Sequence, residues 1–113
     1  MKRFVRHLAP GAVFVGLASL VFPAFLRGQD DADKIYKKNC VLCHAADGSG
    51  SSSSGKTLGA KDLRSELVQK ETDAELANFI TQGKGKMPAF GKKLKPEDIK
   101  QLVAFIRALP QKK

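Results

Sequence analysis

The chain has 113 residues, with 20 Lys and Arg against 11 Asp and Glu, a formal charge of +9 and 42% hydrophobic residues. This length allows one small domain, and the hydrophobic content excludes a disordered chain. Only two cysteines are present, so a framework of several disulfides is excluded as well.

The N-terminal segment has the pattern of a secretory signal. Three basic side chains precede a mostly apolar stretch from Leu8 to Leu26, which Pro10 and Pro23 interrupt. We therefore predict a signal peptide over residues 1–28 and one domain over residues 29–113. The apolar stretch is about long enough to cross a bilayer, so an uncleaved anchor is the alternative. Both interpretations predict an extracytoplasmic domain, periplasmic where the cell has two membranes.

The first part of the domain predicts helices separated by a loop. A helix is expected from Asp30 to Asn39, with aspartates at its positive N-terminal end. Residues 45–55 are rich in serine and glycine, which predicts a flexible surface loop. A short apolar helix is expected around residues 61–69.

The second part predicts two further helices. Thr72-Asp73-Ala74-Glu75 is a capping box that opens a helix over residues 73–82, and Gly83 occupies the position of a C-cap glycine. Residues 83–95 predict an extended loop. Pro96 is a first-turn proline, and it opens an apolar helix that ends before Pro110.

The most informative motif is Cys40-Val41-Leu42-Cys43-His44, a C-x-x-C-H sequence of the kind that attaches haem covalently. Residues three apart on a helical turn face the same side, so two thiols can bond the vinyl groups of one porphyrin while His44 projects towards the iron. A thioredoxin-type dithiol normally accompanies a βαβ pattern, which this sequence lacks. A structural disulfide would not need His44. A zinc site needs about four ligands, more than two cysteines and one histidine supply.

Met87 is the candidate for the second axial iron ligand. Low-spin electron-transfer haem commonly has a methionine there. Met1 and His7 lie in the predicted signal, so elimination leaves Met87, in the loop GKGKMPAF, where Pro88 stiffens the chain. A methionine that fills a gap in the core is the alternative. In that case a lysine would be the second axial ligand of the iron, or the sixth coordination position would be open.

These motifs, in this order, resemble the class I cytochromes c, in particular the small bacterial and c6-like members. The resemblance covers residues 30–110. It implies an all-α cytochrome c fold, with about four short helices around one covalently attached haem c and its iron. The N- and C-terminal helices would cross, with Tyr36 and Phe105 at the crossing.

The chain departs from the family pattern beside the haem. Many members have a proline after C-x-x-C-H whose carbonyl orients the histidine, and no proline lies between His44 and Met87. A carbonyl near Leu58 or Gly59 is the expected substitute. Lys56 and Arg64 are candidates to meet the haem propionates. The residues expected to line the haem pocket are apolar: Leu58, Leu63, Leu67, Phe79, Ile80, Phe90, Leu94 and Val103.

Lysines are concentrated around Met87. In the implied fold they would surround an exposed haem edge and attract an acidic surface on a redox partner. This lysine cluster consists of Lys84, Lys86, Lys92, Lys93 and Lys95. A solvated loop without a partner is the alternative. Nucleic acid is not expected as a partner, because the loop has no stacking aromatics and the domain is exported.

The prediction is a one-electron carrier with a His/Met-ligated haem in an exported electron-transfer chain, exchanging electrons with a redox-protein donor and acceptor. It is not expected to be an enzyme, and membrane contact is expected only if the N-terminal segment is retained. One alternative is a haem c subunit of a larger exported oxidoreductase. Others are a sensor or enzyme with five-coordinate haem, in which Met87 does not bind, and a haem-free protein for thiol–disulfide exchange.

Overall fold

A computed structural model describes residues 11–13, 16 and 25–112, so most of the predicted signal segment lies outside the described residues. The described part is helical and has no strand, which confirms the all-α prediction. None of its helices is long and apolar enough to cross a membrane. The helices are α1 (Phe25–Asn39), α2 (Val41–His44), α3 (Ser53–Leu58), α4 (Glu66–Gln69), α5 (Asp73–Gln82) and α6 (Pro96–Ala108).

The core lies where α1 packs against α6. The rings of Tyr36 and Phe105 meet there with centroids 4.6 Å apart, as predicted for the crossing. Apolar side chains at helical spacing on α5 and α6 complete the core because they form a continuous stripe on one face. Its buried members are Tyr36, Leu63, Leu76, Ile80, Ile99, Leu102, Val103 and Ile106.

Helix α1 begins earlier than predicted, at Phe25 instead of Asp30. The aspartates therefore lie inside the helix and not in its first turn. Asp31 and Asp33 act there as partners of Lys34 and Lys37, with N···O distances of 3.9 and 2.6 Å. Pairs at these spacings stabilise an exposed helix face by a few tenths of a kcal/mol.

The segment between α2 and α5 differs most from the prediction. Residues 45–55 are not a flexible loop throughout, because α3 begins at Ser53. The helix predicted around residues 61–69 is reduced to α4. A turn replaces its first part, since the Asp62 carboxylate accepts hydrogen bonds from the Arg64 backbone and side chain, both at 3.0 Å. Ser65 then caps α4.

The second half of the chain follows the prediction closely. The capping box of α5 is present in both directions, with the Thr72 amide donating to Glu75 Oε2 at 2.7 Å and the Glu75 amide donating to Thr72 Oγ1 at 3.2 Å. Gly83 is the C-cap residue of α5. From α6, Arg107 donates to Gln69 O and to Asp73 Oδ1, each at 2.9 Å, and so ties the α4–α5 connection to the C-terminal helix.

Candidate functional site

Helix α1 leads directly into the C-x-x-C-H turn. The Cys40 amide still donates to Tyr36 O of α1 at 2.8 Å, and the His44 amide donates to Cys40 O at 2.8 Å. This continuity places both sulfur atoms and the imidazole on one helical turn. Cys40 and Cys43 are free thiols and half-buried.

The surroundings of Cys40 disfavour its thiolate form. Burial raises the pKa of Cys40 to about 11, and the neighbouring Cys43 contributes in the same direction. The thiolate is the reactive form, and exchange proteins lower the pKa of the attacking thiol. A mostly protonated thiol therefore counts against the dithiol alternative.

The ring of His44 is held by the backbone of a distant residue. Its Nδ1 lies 3.0 Å from the carbonyl oxygen of Lys61. A carbonyl only accepts, so Nδ1 carries the proton and Nε2 keeps a free lone pair. Burial lowers the pKa of His44, against the opposing effect of this hydrogen bond, and a neutral imidazole is the form that binds a metal. The acceptor lies two residues beyond Gly59, near where a substitute for the family's proline carbonyl was expected.

The backbone just after His44 is unusual and well held. Ala45 has φ of 63°, a left-handed value that non-glycine residues seldom adopt. The Tyr36 hydroxyl donates to Ala45 O at 2.7 Å, and Gly48 N donates to the same oxygen at 3.2 Å. The core tyrosine of α1 thus fixes the point at which the chain leaves the C-x-x-C-H turn.

Met87 lies in a tight turn after α5. The amides of Lys84 and Met87 donate to each other's carbonyl oxygens at 3.1 and 3.0 Å. The ammonium of Lys84 lies 4.5 Å from the centroid of the Phe79 ring, a cation–π contact. Met87 and Cys40 both pack against the buried core, which makes the methionine turn and the C-x-x-C-H turn parts of one packed unit.

The donor set and its surroundings fit a covalently attached haem. Two free thiols share a turn with an imidazole whose Nε2 is unused, and a thioether is present on a separate turn. Leu58 and Leu67 are 42% and 77% exposed, although they are large apolar side chains that a big apolar group could cover. Among the described residues no group of three or more His, Cys, Asp or Glu side chains could hold a metal ion by itself.

The remaining candidates divide by burial. Leu63, Ile80 and Val103 belong to the buried core, while Phe79, Phe90 and Leu94 are partly buried against it. Lys56 is exposed, and all five members of the lysine cluster are exposed too.

Arg64, the other propionate candidate, is already occupied by protein carboxylates. Its Nε lies 3.0 Å from Asp62 Oδ1, and its Nη1 lies 3.7 Å from Asp47 Oδ2. Hydrogen bonding to the Arg64 guanidinium holds the pKa of Asp62 below its usual range.

Three residues of this site escaped the sequence analysis: Ser52, Gly55 and Lys61. Ser52 Oγ lies 2.7 Å from Leu42 O and 3.1 Å from Cys43 O. Gly55 is buried against the same turn, and Lys61 contributes only a carbonyl. The capping preference of serine was the one available signal, and the run of neighbouring serines concealed it.

Comparisons with known proteins give a consistent result. A family model described as cytochrome c oxidase, cbb3-type, subunit III matches residues 28–106. Cytochrome c6 of Gloeothece citriformis is 32% identical over 106 residues, covering 94% of this chain and 93% of the relative. Cytochrome c6 of Nostoc sp. is 35% identical over 98 residues, covering 83% and 86%.

Two further comparisons concern a solved structure and a larger protein. The KustC0563 c-type cytochrome has a TM-score of 0.66 and 33% identity, and the match covers 73% of this chain and 99% of that one. The cbb3-type cytochrome c oxidase subunit FixP of Bradyrhizobium diazoefficiens is 33% identical, and its match covers 74% of this chain but 29% of that protein.

Proposed function

The chain belongs to the class I c-type cytochromes as a small monohaem member, and from that premise we propose how its own residues hold and use the haem. It carries one covalently bound haem c with its iron and is an electron carrier. In the proposal, Cys40 and Cys43 would form the two thioether links, and His44 Nε2 and Met87 Sδ would be the two protein ligands of the iron.

The observation that carries the assignment of His44 is the contact between its ring and the Lys61 carbonyl. Its Nδ1–H is directed to Lys61 O at 3.0 Å, which leaves Nε2 as the ligand atom, on the same turn as two free thiols. When the ring nitrogen that does not bind the metal donates a hydrogen bond, the bond orients the imidazole and raises its basicity.

When bound, the haem iron supplies one-electron chemistry by alternating between its ferrous and ferric states. The thioether of Met87 favours the ferrous form and raises the potential. If His44 and Met87 both bind the iron, no position would remain open for a substrate. This arrangement supports an electron carrier without enzymatic activity.

Peptide mass spectrometry tests the attachment directly. Trypsin should release residues 39–56 as one peptide, because cleavage sites follow Lys38 and Lys56 and none lies between them. In protein matured with the bacterial haem-attachment machinery, this peptide should carry the haem mass. Cys40→Ala and Cys43→Ala together should abolish it. Haem mass on another peptide, or none at all, would contradict the assignment.

The lysine cluster is proposed as the surface that attracts an acidic redox partner. All five lysines are exposed and lie within eight residues of Met87 in the chain, and like charges grouped at a site steer oppositely charged molecules. Oxidation of the reduced protein by ferricyanide, an anion, should therefore slow as salt is added. Oxidation by the cobalt tris-phenanthroline cation should become faster as salt is added, because salt screens the repulsion between like charges.

Matched variants locate this effect. Lys84→Gln with Lys86→Gln should weaken the salt dependence towards ferricyanide. Lys70→Gln with Lys37→Gln makes an equal change of charge outside the lysine cluster, at side chains paired with Glu66 and Asp33, and should leave the dependence nearly unchanged. Equal effects of the two double variants would show that net charge, and not this surface, governs the encounter.

We assign the domain to residues 29–113 and place it outside the cytoplasmic membrane, directed there by residues 1–28. The support is the basic-then-apolar N-terminal pattern. N-terminal sequencing of protein from the periplasmic and membrane fractions tests cleavage against anchoring. Recovery of the domain in the cytoplasm with haem attached would oppose the assignment.

A second candidate is a haem c subunit of a larger exported oxidoreductase. It is favoured by the family model of an oxidase subunit and by the match to part of FixP. A subunit would co-purify in a fixed ratio with other chains after gentle extraction, whereas a carrier would be recovered alone. Native mass spectrometry of the protein from its own host separates these outcomes.

A further inference from the structure

The four-residue helix α2 ends with carbonyl groups that need donors from elsewhere. A helix leaves its last four carbonyl oxygens without partners inside the helix. In α2 the first of them, Val41 O, accepts from Ala45 N at 2.9 Å, and His44 O accepts from Gly50 N at 2.8 Å. Neither Leu42 O nor Cys43 O has a backbone donor among the described residues.

Ser52 supplies the missing donor. Its hydroxyl lies 2.7 Å from Leu42 O and 3.1 Å from Cys43 O, so one proton is shared between the two carbonyls that precede His44. The same oxygen accepts from Gly55 N at 3.0 Å and caps α3. One side chain therefore joins the end of the C-x-x-C-H turn to the start of α3.

Close packing reinforces this junction. A Cβ atom on Gly55 would lie 2.1 Å from Cys43 O and 2.5 Å from Gly50 O, and both are backbone atoms that cannot move aside easily. Only glycine allows the first turn of α3 to approach the C-x-x-C-H turn so closely.

The chain that follows α3 contacts the ring of His44. The chain leaves α3 through Gly59, and two residues later Lys61 O accepts from the His44 ring at 3.0 Å. Gly50 is also packed here, since a Cβ on it would lie 2.6 Å from Ala60 O and 3.2 Å from Lys61 O. The position of the Lys61 carbonyl relative to the ring thus depends on how α3 is seated.

We propose that Ser52 is a positioning residue for His44, setting the strength of the hydrogen bond between His44 Nδ1 and Lys61 O by seating α3 on the C-x-x-C-H turn. The inference rests on the proposed function in one respect, the ligation of iron by His44. Without the Ser52 hydroxyl, α3 loses its hydrogen bonds to Leu42 O and Cys43 O. The Lys61 carbonyl is then no longer held at hydrogen-bonding distance from His44 Nδ1. A weaker bond makes the imidazole a poorer donor, which favours the ferrous state.

The test uses haem-loaded protein and two readouts, the midpoint potential from a redox titration and the rate of exchange of the His44 Nδ1 proton by nuclear magnetic resonance. Ser52→Ala should raise the potential. It should also speed the exchange of the Nδ1 proton by about fivefold, since the net free energy of a typical hydrogen bond is roughly 1 kcal/mol. Ser52→Thr keeps a hydroxyl and a good N-cap, so it should restore both readouts.

Ser65→Ala is the matched control. Ser65 caps α4 as Ser52 caps α3, with its Oγ accepting from Val68 N at 3.4 Å, but Ser65 makes no hydrogen bond to the C-x-x-C-H turn. Each alanine variant should lose about 1 kcal/mol for its N-cap, and Ser52→Ala additionally loses the hydrogen bonds to Leu42 O and Cys43 O. If Ser52→Ala changes the potential and the exchange rate no more than Ser65→Ala does, Ser52 is only a helix cap and the proposal is wrong.

A glycine pair gives a second comparison. Gly55→Ala should disturb both readouts more strongly than Ser52→Ala, because its Cβ meets backbone of the turn. Gly59→Ala carries its own backbone cost at φ of 69°, yet its Cβ would meet nothing within 4 Å, so it should disturb them less. The reverse order would contradict the seating of α3 as the cause.

Failure of the ligand assignment would look different. If His44→Ala leaves the wild-type haem spectrum unchanged, His44 is not a ligand, and this proposal falls together with that part of the proposed function. If His44→Ala abolishes the low-spin spectrum while Ser52→Ala behaves as Ser65→Ala does, the ligand assignment stands and only the role of Ser52 is refuted.

Discussion

Replacing Tyr36 by phenylalanine removes one buried hydroxyl and leaves the ring in place. The hydroxyl donates to Ala45 O at 2.7 Å, and the ring contacts Phe105 at a centroid distance of 4.6 Å. Because Gly48 N still donates to Ala45 O, the acceptor keeps one partner. We expect Tyr36→Phe to lower the free energy of unfolding by about 1 kcal/mol at pH 7.

The difference should change with pH in a way specific to this tyrosine. Burial raises the pKa of Tyr36 above its ordinary value of 10.0, and Tyr36 is the only tyrosine in the chain. Its contribution to stability is complete below the unfolded pKa and is lost as pH rises above it. Each pH unit above that point costs the wild type about 1.4 kcal/mol that the variant does not lose. The two stabilities should therefore meet at about pH 11.

Urea denaturation of the haem-loaded proteins at pH 7 to 11 measures this. With a slope of about 1 kcal/mol per molar urea for a small domain, the variant midpoint should lie about 1 M lower at neutral pH. Tyr36→Leu, which also loses the aromatic pair, should cost about 1 kcal/mol more than Tyr36→Phe. A stability difference between wild type and Tyr36→Phe that stays constant across this pH range would show that burial does not raise the pKa of Tyr36.

Four further substitutions test the packing and the ion pairs. Leu102 is 1% exposed, so Leu102→Ala should cost about 2–5 kcal/mol in urea denaturation, and a loss below about 1 kcal/mol would show that its core is loosely packed. Arg107→Leu should lower the free energy of unfolding by about 2 kcal/mol, and Asp73→Ala alone should cause only a small part of that loss. Equal losses in the two variants would show that the ion pair with Asp73 is the one contact of Arg107 that matters. Arg64 lowers the pKa of Asp62, so this carboxylate stabilises the fold above its unfolded pKa and ceases to do so as pH falls through the folded value. Between pH 6 and pH 3 the wild type should consequently lose more stability than Asp62→Asn, and parallel losses would contradict the pairing.

The features that the sequence predicted correctly have side-chain signals. The capping box at Thr72, the proline at the start of α6 and the apolar spacing along α6 each identify a helix because the responsible side chains are local. The contact between Tyr36 and Phe105 followed from the family resemblance and is confirmed. The C-x-x-C-H motif located the candidate site for the same reason, since its spacing is itself the signal.

The segment from Ala45 to Arg64 contains the features that the sequence did not predict. Its residues are mostly small or polar, and Leu58 and Leu63 are its two large apolar side chains, so no apolar period marks α3. The capping role of Ser52 is visible only once the helix is known. The acceptor of the His44 ring is the backbone oxygen of Lys61. Because every residue has a backbone carbonyl, the sequence does not indicate which one accepts this hydrogen bond. Gly55 is required by a neighbour distant in the chain, which local turn chemistry does not report.

An optical spectrum followed through a redox titration tests whether Met87 binds the iron. The measurement uses protein matured with the bacterial haem-attachment machinery, with Met87→Ala as the matched variant. We expect covalent haem with a methionine-to-iron charge-transfer band in the oxidised wild type, and a lower potential without that band in the variant. A wild type with attached haem but no such band, or a band that survives Met87→Ala, would contradict the ligation of iron by Met87.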